Sequence, residues 1–238
     1  MFEKEKKQVL DTALEIKRCG LVSLSGGNVS LRMGEDRYLV TPSGMPYECM
    51  VPEDICLIDK DCRNVEGVRK PSSDAAALVY MFEHRKEINA IIHTHQPWAT
   101  AAGFAVDELP DFLVTVMDAC RSPVKVAPFT PSSAVGMGVL AVEYANDSLA
   151  VILKHHGVLT YGKDLEEALY AAVYLEEAAK TYVLARAMGA EIPDLDPELI
   201  AKAAGDMKIV YTPLHGTGNL PVRRVLKELG FAHVYVVK

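Results

Sequence analysis

Four of the seven histidines in this 238-residue chain fall in two tight groups, His93-Thr94-His95 and His155-His156. On a strand, residues i and i+2 project from one face, so His93 and His95 would present two imidazoles side by side. Neutral imidazole is a preferred ligand of zinc and related transition ions. His155 and His156 precede Gly157 at the end of an apolar run, where strand ends commonly build sites. Each pair alone also fits a structural or surface role. Together, three imidazoles around one zinc would leave a coordination position open, the arrangement of a catalytic rather than a structural site. An open zinc can polarise a carbonyl or stabilise an enediolate as a Lewis acid.

Three small, donor-rich pairs could hold an anion: Gly27-Asn28, Ser43-Gly44 and Ser72-Ser73. Such pairs are expected to expose backbone amides, and Ser72-Ser73 open an expected helix, whose N-terminal amides and dipole favour phosphate. Each pair also fits ordinary turn or capping chemistry. Two carboxylates accompany them. Asp74 follows the serines, as a general base or simply as an acid that favours a helix start. Asp118 lies in the otherwise apolar Val116-Met117-Asp118-Ala119, surroundings that predict an altered pKa and a possible role as general base. No GxSxG, P-loop or GxGxxG pattern occurs, which argues against serine hydrolases, P-loop nucleotide enzymes and Rossmann dehydrogenases.

The elements that must position these groups follow from hydrophobic periodicity and punctuation. An amphipathic helix is expected over residues 5–19, followed by strand-like pieces at 29–32, 38–41 and 55–58. A helix over 71–85 and a buried strand over 90–95 come next, then a helix from Pro97 to about residue 104. Core strands are expected at 123–128 and 149–153, with a helix near 132–144 between them. The longest helix spans 165 to about 188, with Gly189 at its C-terminal cap. Strands and helices alternate without strict βαβ order, which predicts a central sheet flanked by helices, α/β or α+β. Composition shifts near 194–197 and at Gly205, after which 208–210, 222–229 and 233–237 read as a small strand–helix–strand tail.

The chain is 50% hydrophobic and 24% charged, which fits a globular protein with a sizeable core in one or two domains. Thirty-two acidic against 25 basic residues give a net charge of -7, arguing against a nucleic-acid partner. The N-terminus MFEKEKKQVL is charged, which predicts no secretory leader. No apolar run reaches the ~18 residues that would span a bilayer. Cys19, Cys49, Cys56, Cys62 and Cys120 form no CxxC pair and read as reduced thiols of a cytoplasmic protein.

In order and spacing, Gly27-Asn28-Val29-Ser30, Thr41-Pro42-Ser43-Gly44, Pro71-Ser72-Ser73-Asp74, His93-Thr94-His95 and His156-Gly157-Val158-Leu159 resemble the class II aldolase/adducin family. The resemblance covers roughly residues 1–200. It implies a three-layer α/β fold with a mixed, largely antiparallel sheet. It also implies one Zn2+ per subunit and a homotetramer with sites between neighbours. By position, His93, His95 and His156 match the metal ligands, and His155 stands where many members have asparagine. Gly27, Asn28, Ser43, Gly44, Ser72 and Ser73 match the segments that hold a substrate phosphate.

Asp74 stands where the family's aldolases have a catalytic glutamate and its L-ribulose-5-phosphate 4-epimerases an aspartate. Asp118 falls near an aspartate that those epimerases use as an acid/base across the subunit interface. The resemblance therefore implies a zinc-dependent aldolase that cleaves a phosphorylated ketose, such as L-fuculose 1-phosphate, to dihydroxyacetone phosphate and an aldehyde. The alternatives are the 4-epimerase, which uses the same bond cleavage, and a non-catalytic adducin-like binding domain. The expected division is 1–205 for this catalytic body and 206–238 for the tail. The tail, from Met207 through Gly218 to Lys238, resembles an internal segment of a phosphoglucomutase/phosphomannomutase. It lacks that family's phosphoserine and metal loops and is expected to be non-catalytic.

Overall fold

Period-two alternation sorts the strand side chains onto two buried faces. In β2 (Arg37–Val40) and β3 (Cys56–Asp59), Tyr38, Val40, Cys56 and Ile58 join one core cluster, while Leu39 and Leu57 join the other. In β5 (Ala90–Thr94), Ile91 goes with the first and Ala90 and Ile92 with the second. A strand buried on both faces is apolar along its whole length, which is why residues 90–92 read as a continuous run.

The computed structural model describes residues 1–121, 123–131, 135–196, 208–211, 226 and 233–236. The chain divides into two units, Met1–Ile192 and Pro193–Lys238. The first contains a nine-stranded sheet in the order β4-β3-β2-β1-β5-β9-β8-β7-β6. The remaining strands are β1 (Asn28–Arg32), β4 (Asn64–Glu66), β6 (Glu108–Leu109), β7 (Val124–Ala127), β8 (Ala150–Leu153) and β9 (Gly157–Gly162). Every neighbouring pair is antiparallel except β7 and β8. The expected mixed, largely antiparallel α/β sheet is the one that forms.

Helices α2 (Ala75–His84) and α5 (Val135–Tyr144) cover one face and lie against each other. Gly138 permits that approach, because a Cβ there would sit 2.4 Å from the Ala77 carbonyl oxygen. The other face is covered by α1 (Glu3–Arg18) and the start of α6 (Leu165–Ala187). α1 buries Val9, Leu10, Ala13 and Ile16 as one stripe, and each large member contributes about 1.5–3 kcal/mol. α3 (Pro97–Ala105) and α4 (Val114–Cys120) pack on α6. Asp164 caps α6, accepting from Glu167 N at 2.8 Å, and Gly189 closes its end with φ 77°, as expected from the sequence.

One expectation needs correction, and some short elements were not expected. The helix expected from Pro71 starts at Ala75, because Pro71 forms a bridge with Pro42 and the Ser72 and Asp74 side chains bond elsewhere. β9, which opens directly at Gly157, is a strand the sequence reading lacks. The short β4, β6 and α4 carry too few periodic positions to be read from sequence. Residues 132–134 of the expected helix near 132–144 lie outside the described residues.

In the second unit, β10 (Lys208–Tyr211) and β11 (His233–Val236) pair in parallel, Lys208 opposite His233. The expected helix over 222–229 lies outside the described residues apart from Leu226, as does the expected 205/206 boundary. No helix among the described residues is long and apolar enough to cross a membrane. All five cysteines are unpaired.

Candidate metal centre and substrate pocket

β5 lies between β1 and β9, with His93 opposite Asn28 on one side and Leu159 on the other. This register brings three separate sequence segments to one end of the sheet. His93 is the last inward residue on its face of β5, and His95 follows just past the strand end. His156 sits in the hairpin between β8 and β9, where His155 takes a left-handed conformation, φ 62°, and His156 N bonds to Leu153 O at 3.1 Å. Two glycines let the backbones close around β5. A Cβ on Gly27 would lie 2.4 Å from His93 O, and one on Gly157 would lie 2.2 Å from Thr94 O.

The three rings converge. His93 lies 4.8 Å from His156 and 4.9 Å from His95 between ring centroids, and His95 lies 5.4 Å from His156. One ligand nitrogen from each falls within 4.8 Å of the others. His93 Nδ1 is 2.9 Å from Val158 O, and a carbonyl only accepts, so Nδ1 carries the proton and Nε2 is left with a lone pair. That Nε2 is 3.2 Å from His95 Nε2. Two ligands about 2.0–2.1 Å from a tetrahedral zinc stand roughly 3.3–3.4 Å apart. His156 Nδ1 is buried and has no hydrogen-bond partner among the described residues.

Electrostatics agree with that fit. Burial, reinforced by the neighbouring His156 and His95, pushes the His93 imidazole down to about 3. Burial also lowers His95 and His156, while the Asp74 carboxylate raises both in part. The triad is therefore held neutral, the state a metal ligand requires. The residues present fit a single divalent ion.

Beside the triad is a cavity of about 640 Å³. Its lining includes Ser25, Gly26 and Gly27, the Ser43-Gly44 and Ser72-Ser73 turns, and Asp74, His95 and His156. Phe129, Thr130, Pro131 and His155 complete the lining. His155 is not part of the triad and stacks edge-on against Phe104, at 4.9 Å. Asp74 is buried, and its Oδ2 accepts from Asn28 Nδ2 at 2.9 Å. It stands at the N-cap of α2 but makes no capping bond with its side chain. Asn28 also donates to Ser72 Oγ at 3.2 Å, so it ties the histidine-bearing sheet to the serine turn. Tyr47 supports the glycine loop by donating to Gly26 O at 3.1 Å.

The anion-holding segments differ in detail from expectation. Ser43 N donates to Lys70 O at 2.9 Å and Ser72 N to Thr41 O at 3.1 Å, so these amides staple the two turns together rather than facing the cavity. Among the described residues, no lysine or arginine lines this cavity. Asp118 is not brought here. It is exposed on α4 and lines a separate groove of about 580 Å³ with Thr115, Lys163, Tyr170 and Tyr174. The sequence reading missed the Phe129–Pro131 wall, whose one signal is the apolar-to-turn change after the strand at 124–127.

Comparisons with known proteins place this geometry. Residues 7–183 match the family profile described as Class II Aldolase and Adducin N-terminal domain. The chain is 33% identical over 215 residues to the L-fuculose phosphate aldolase of Haemophilus influenzae, covering 89% of this chain and 94% of that protein. It is 30% identical over 214 residues to the L-ribulose-5-phosphate 4-epimerase UlaF of Salmonella paratyphi C, covering 84% and 93%. The solved structure of an L-fuculose 1-phosphate aldolase superposes with a TM-score of 0.76 at 28% identity, over 82% of this chain and 92% of that one. By profile, sequence and fold, the chain belongs to the class II aldolase and adducin N-terminal domain family.

Proposed function

We propose that this protein is a zinc-dependent aldolase that cleaves a phosphorylated ketose to dihydroxyacetone phosphate and an aldehyde. The observation that carries this reading is the convergence of three neutral imidazoles beside a buried carboxylate, in a cavity walled by small donors. An ion held by His93, His95 and His156 would supply a Lewis acid for negative charge that develops on the ketose oxygens. The chain's own groups do the rest. The substrate phosphate rests on the Gly27, Asn28, Ser43, Gly44 and Ser72–Ser73 segments, through hydroxyls and remaining amides, and so fixes the sugar's position. Asp74, removed from water and hydrogen-bonded by Asn28, moves a proton as the bond between the carbons α and β to the carbonyl breaks. The aldehyde end faces Phe129, Pro131 and His155.

The working unit in this reading is a cytoplasmic homotetramer with one Zn2+ per subunit. Asp118 enters its chemistry only from a neighbouring subunit, since within one chain it lines another groove. Its exposure supports the second reading, a 4-epimerase in which the aldehyde rotates and re-adds with Asp118 as acid/base. Incubation of metal-replete protein with L-fuculose 1-phosphate and L-ribulose 5-phosphate separates them. Release of dihydroxyacetone phosphate is the expected result, whereas pentulose interconversion without cleavage supports the epimerase. A protein that binds no divalent ion and turns over neither sugar would be a binding domain instead.

A further inference from the structure

Immediately beyond His95, the first turn of α3 is capped from far along the chain. Gln96 occupies the N-cap position but makes no capping bond. Its side chain is fully buried, with Oε1 accepting from Thr94 Oγ1 at 2.6 Å and Nε2 donating to Ala172 O at 3.0 Å. Glu176 of α6 takes the free amides instead. Trp98 N donates to Oε1 at 3.0 Å, Ala99 N donates to Oε2 at 2.9 Å, and Gln96 Nε2 reaches Oε2 at 3.4 Å. One carboxylate thus binds both sides of the segment that follows His95.

Two consequences bear on the metal centre. His95 is the exposed member of the triad, so its direction depends on how firmly Thr94 and Gln96 are held on either side. A helix N-terminus also carries about half a positive charge. Left bare, so close to a ligand, that charge would oppose a cation, and a carboxylate that accepts both amides cancels it.

We propose that Glu176 is a positioning residue for the metal centre, aiming His95 through the capped start of α3 and Gln96 and so strengthening metal affinity. This rests on His93, His95 and His156 being the ligands. Glu176→Gln keeps the shape but turns one amide donor toward a backbone donor and removes the charge. Asp164→Ala serves as the comparison, because it removes the cap of α6 beyond Gly162, the end of β9 that pairs with Ala90 rather than with the histidine end.

The experiment is competition for Zn2+ against a chromophoric chelator, together with the Tm of each protein in its metal-free form. Glu176→Gln is expected to weaken Zn2+ binding about 10- to 100-fold, the usual effect of losing a group that orients a ligand. Asp164→Ala is expected to lower Tm with Zn2+ affinity unchanged. Wild-type affinity in Glu176→Gln, whatever its Tm, overturns the proposal and leaves Glu176 a structural cap. If wild-type protein takes up no Zn2+, the ligand assignment itself falls, and the proposal with it. Should Glu176→Gln not fold, Thr94→Val breaks the bond to Gln96 alone. A smaller loss of affinity is then expected, and wild-type affinity overturns the proposal.

Discussion

The end of β5 and the outer face of α4 each carry side chains that the sequence marks for chemistry, but they are built to different standards. At β5, the His93 ring is buried and held through Nδ1 by Val158 O, and the flanking glycines admit no Cβ. Asp74 is buried and held by Asn28. On α4, Val116 and Cys120 turn inward four residues apart while Asp118 faces out. An apolar neighbourhood in sequence is not burial in space. Read as a continuous apolar stretch, residues 116–119 promise a desolvated acid, whereas the helical period puts that acid in water. Preorganised groups are those whose geometry the surrounding backbone leaves no freedom to change.

Breaking the first region should have the largest effect. His95→Ala is expected to lower turnover by more than about 100-fold, beyond the range for groups that merely orient ligands, with the circular dichroism spectrum intact. Retained turnover would separate the histidines from the chemistry. Acid should act on the same place in metal-free protein. His93 in the folded state titrates near 3 rather than 6.5, so between those values the unfolded chain binds a proton that the folded chain refuses. Stability therefore falls as pH drops below about 6.5, by about 2 kcal/mol for this residue between pH 7 and 5. Chemical denaturation of metal-free wild type and His93→Gln tests this: the variant should lose less stability over that interval, and equal losses would contradict it.

Gly157→Ala places a methyl against Thr94 O and should cost about 1–3 kcal/mol, read as a Tm lower by several degrees. An unchanged Tm would show that β5 and β9 can separate at that point. The smallest effect is expected on α4. Asp118→Asn should leave aldol cleavage nearly unchanged, because nothing in its own chain ties it to the triad. A large loss of pentulose interconversion in that variant would turn the comparison around and favour the epimerase.

Much of this was legible in the residues themselves. The His-Thr-His and His-His-Gly groups name the three imidazoles that converge, and turn residues locate part of the cavity lining. What stayed hidden depended on pairing across the sheet. Residues 157–162 are wholly buried in β9, yet as a short apolar run after a glycine they show no period of their own. Asn28 reads as a turn residue, and only the folded chain reveals that it pairs opposite His93 and holds Asp74. Glu176 did leave a trace. It lies beside Ala172, Leu175 and Ala179 on the buried stripe of α6, and an acid there must have a partner. The partner, a helix start in another part of the chain, has no local signature.

Zn2+ titration of wild-type protein and of His93→Ala, His95→Ala and His156→Ala, followed by stoichiometry and affinity, bears on the centre most directly. One equivalent bound tightly per chain, with affinity lost in each variant, is the predicted result. No tight binding by wild type, or undiminished binding when any one of these imidazoles is removed, would contradict a shared ion at the end of β5.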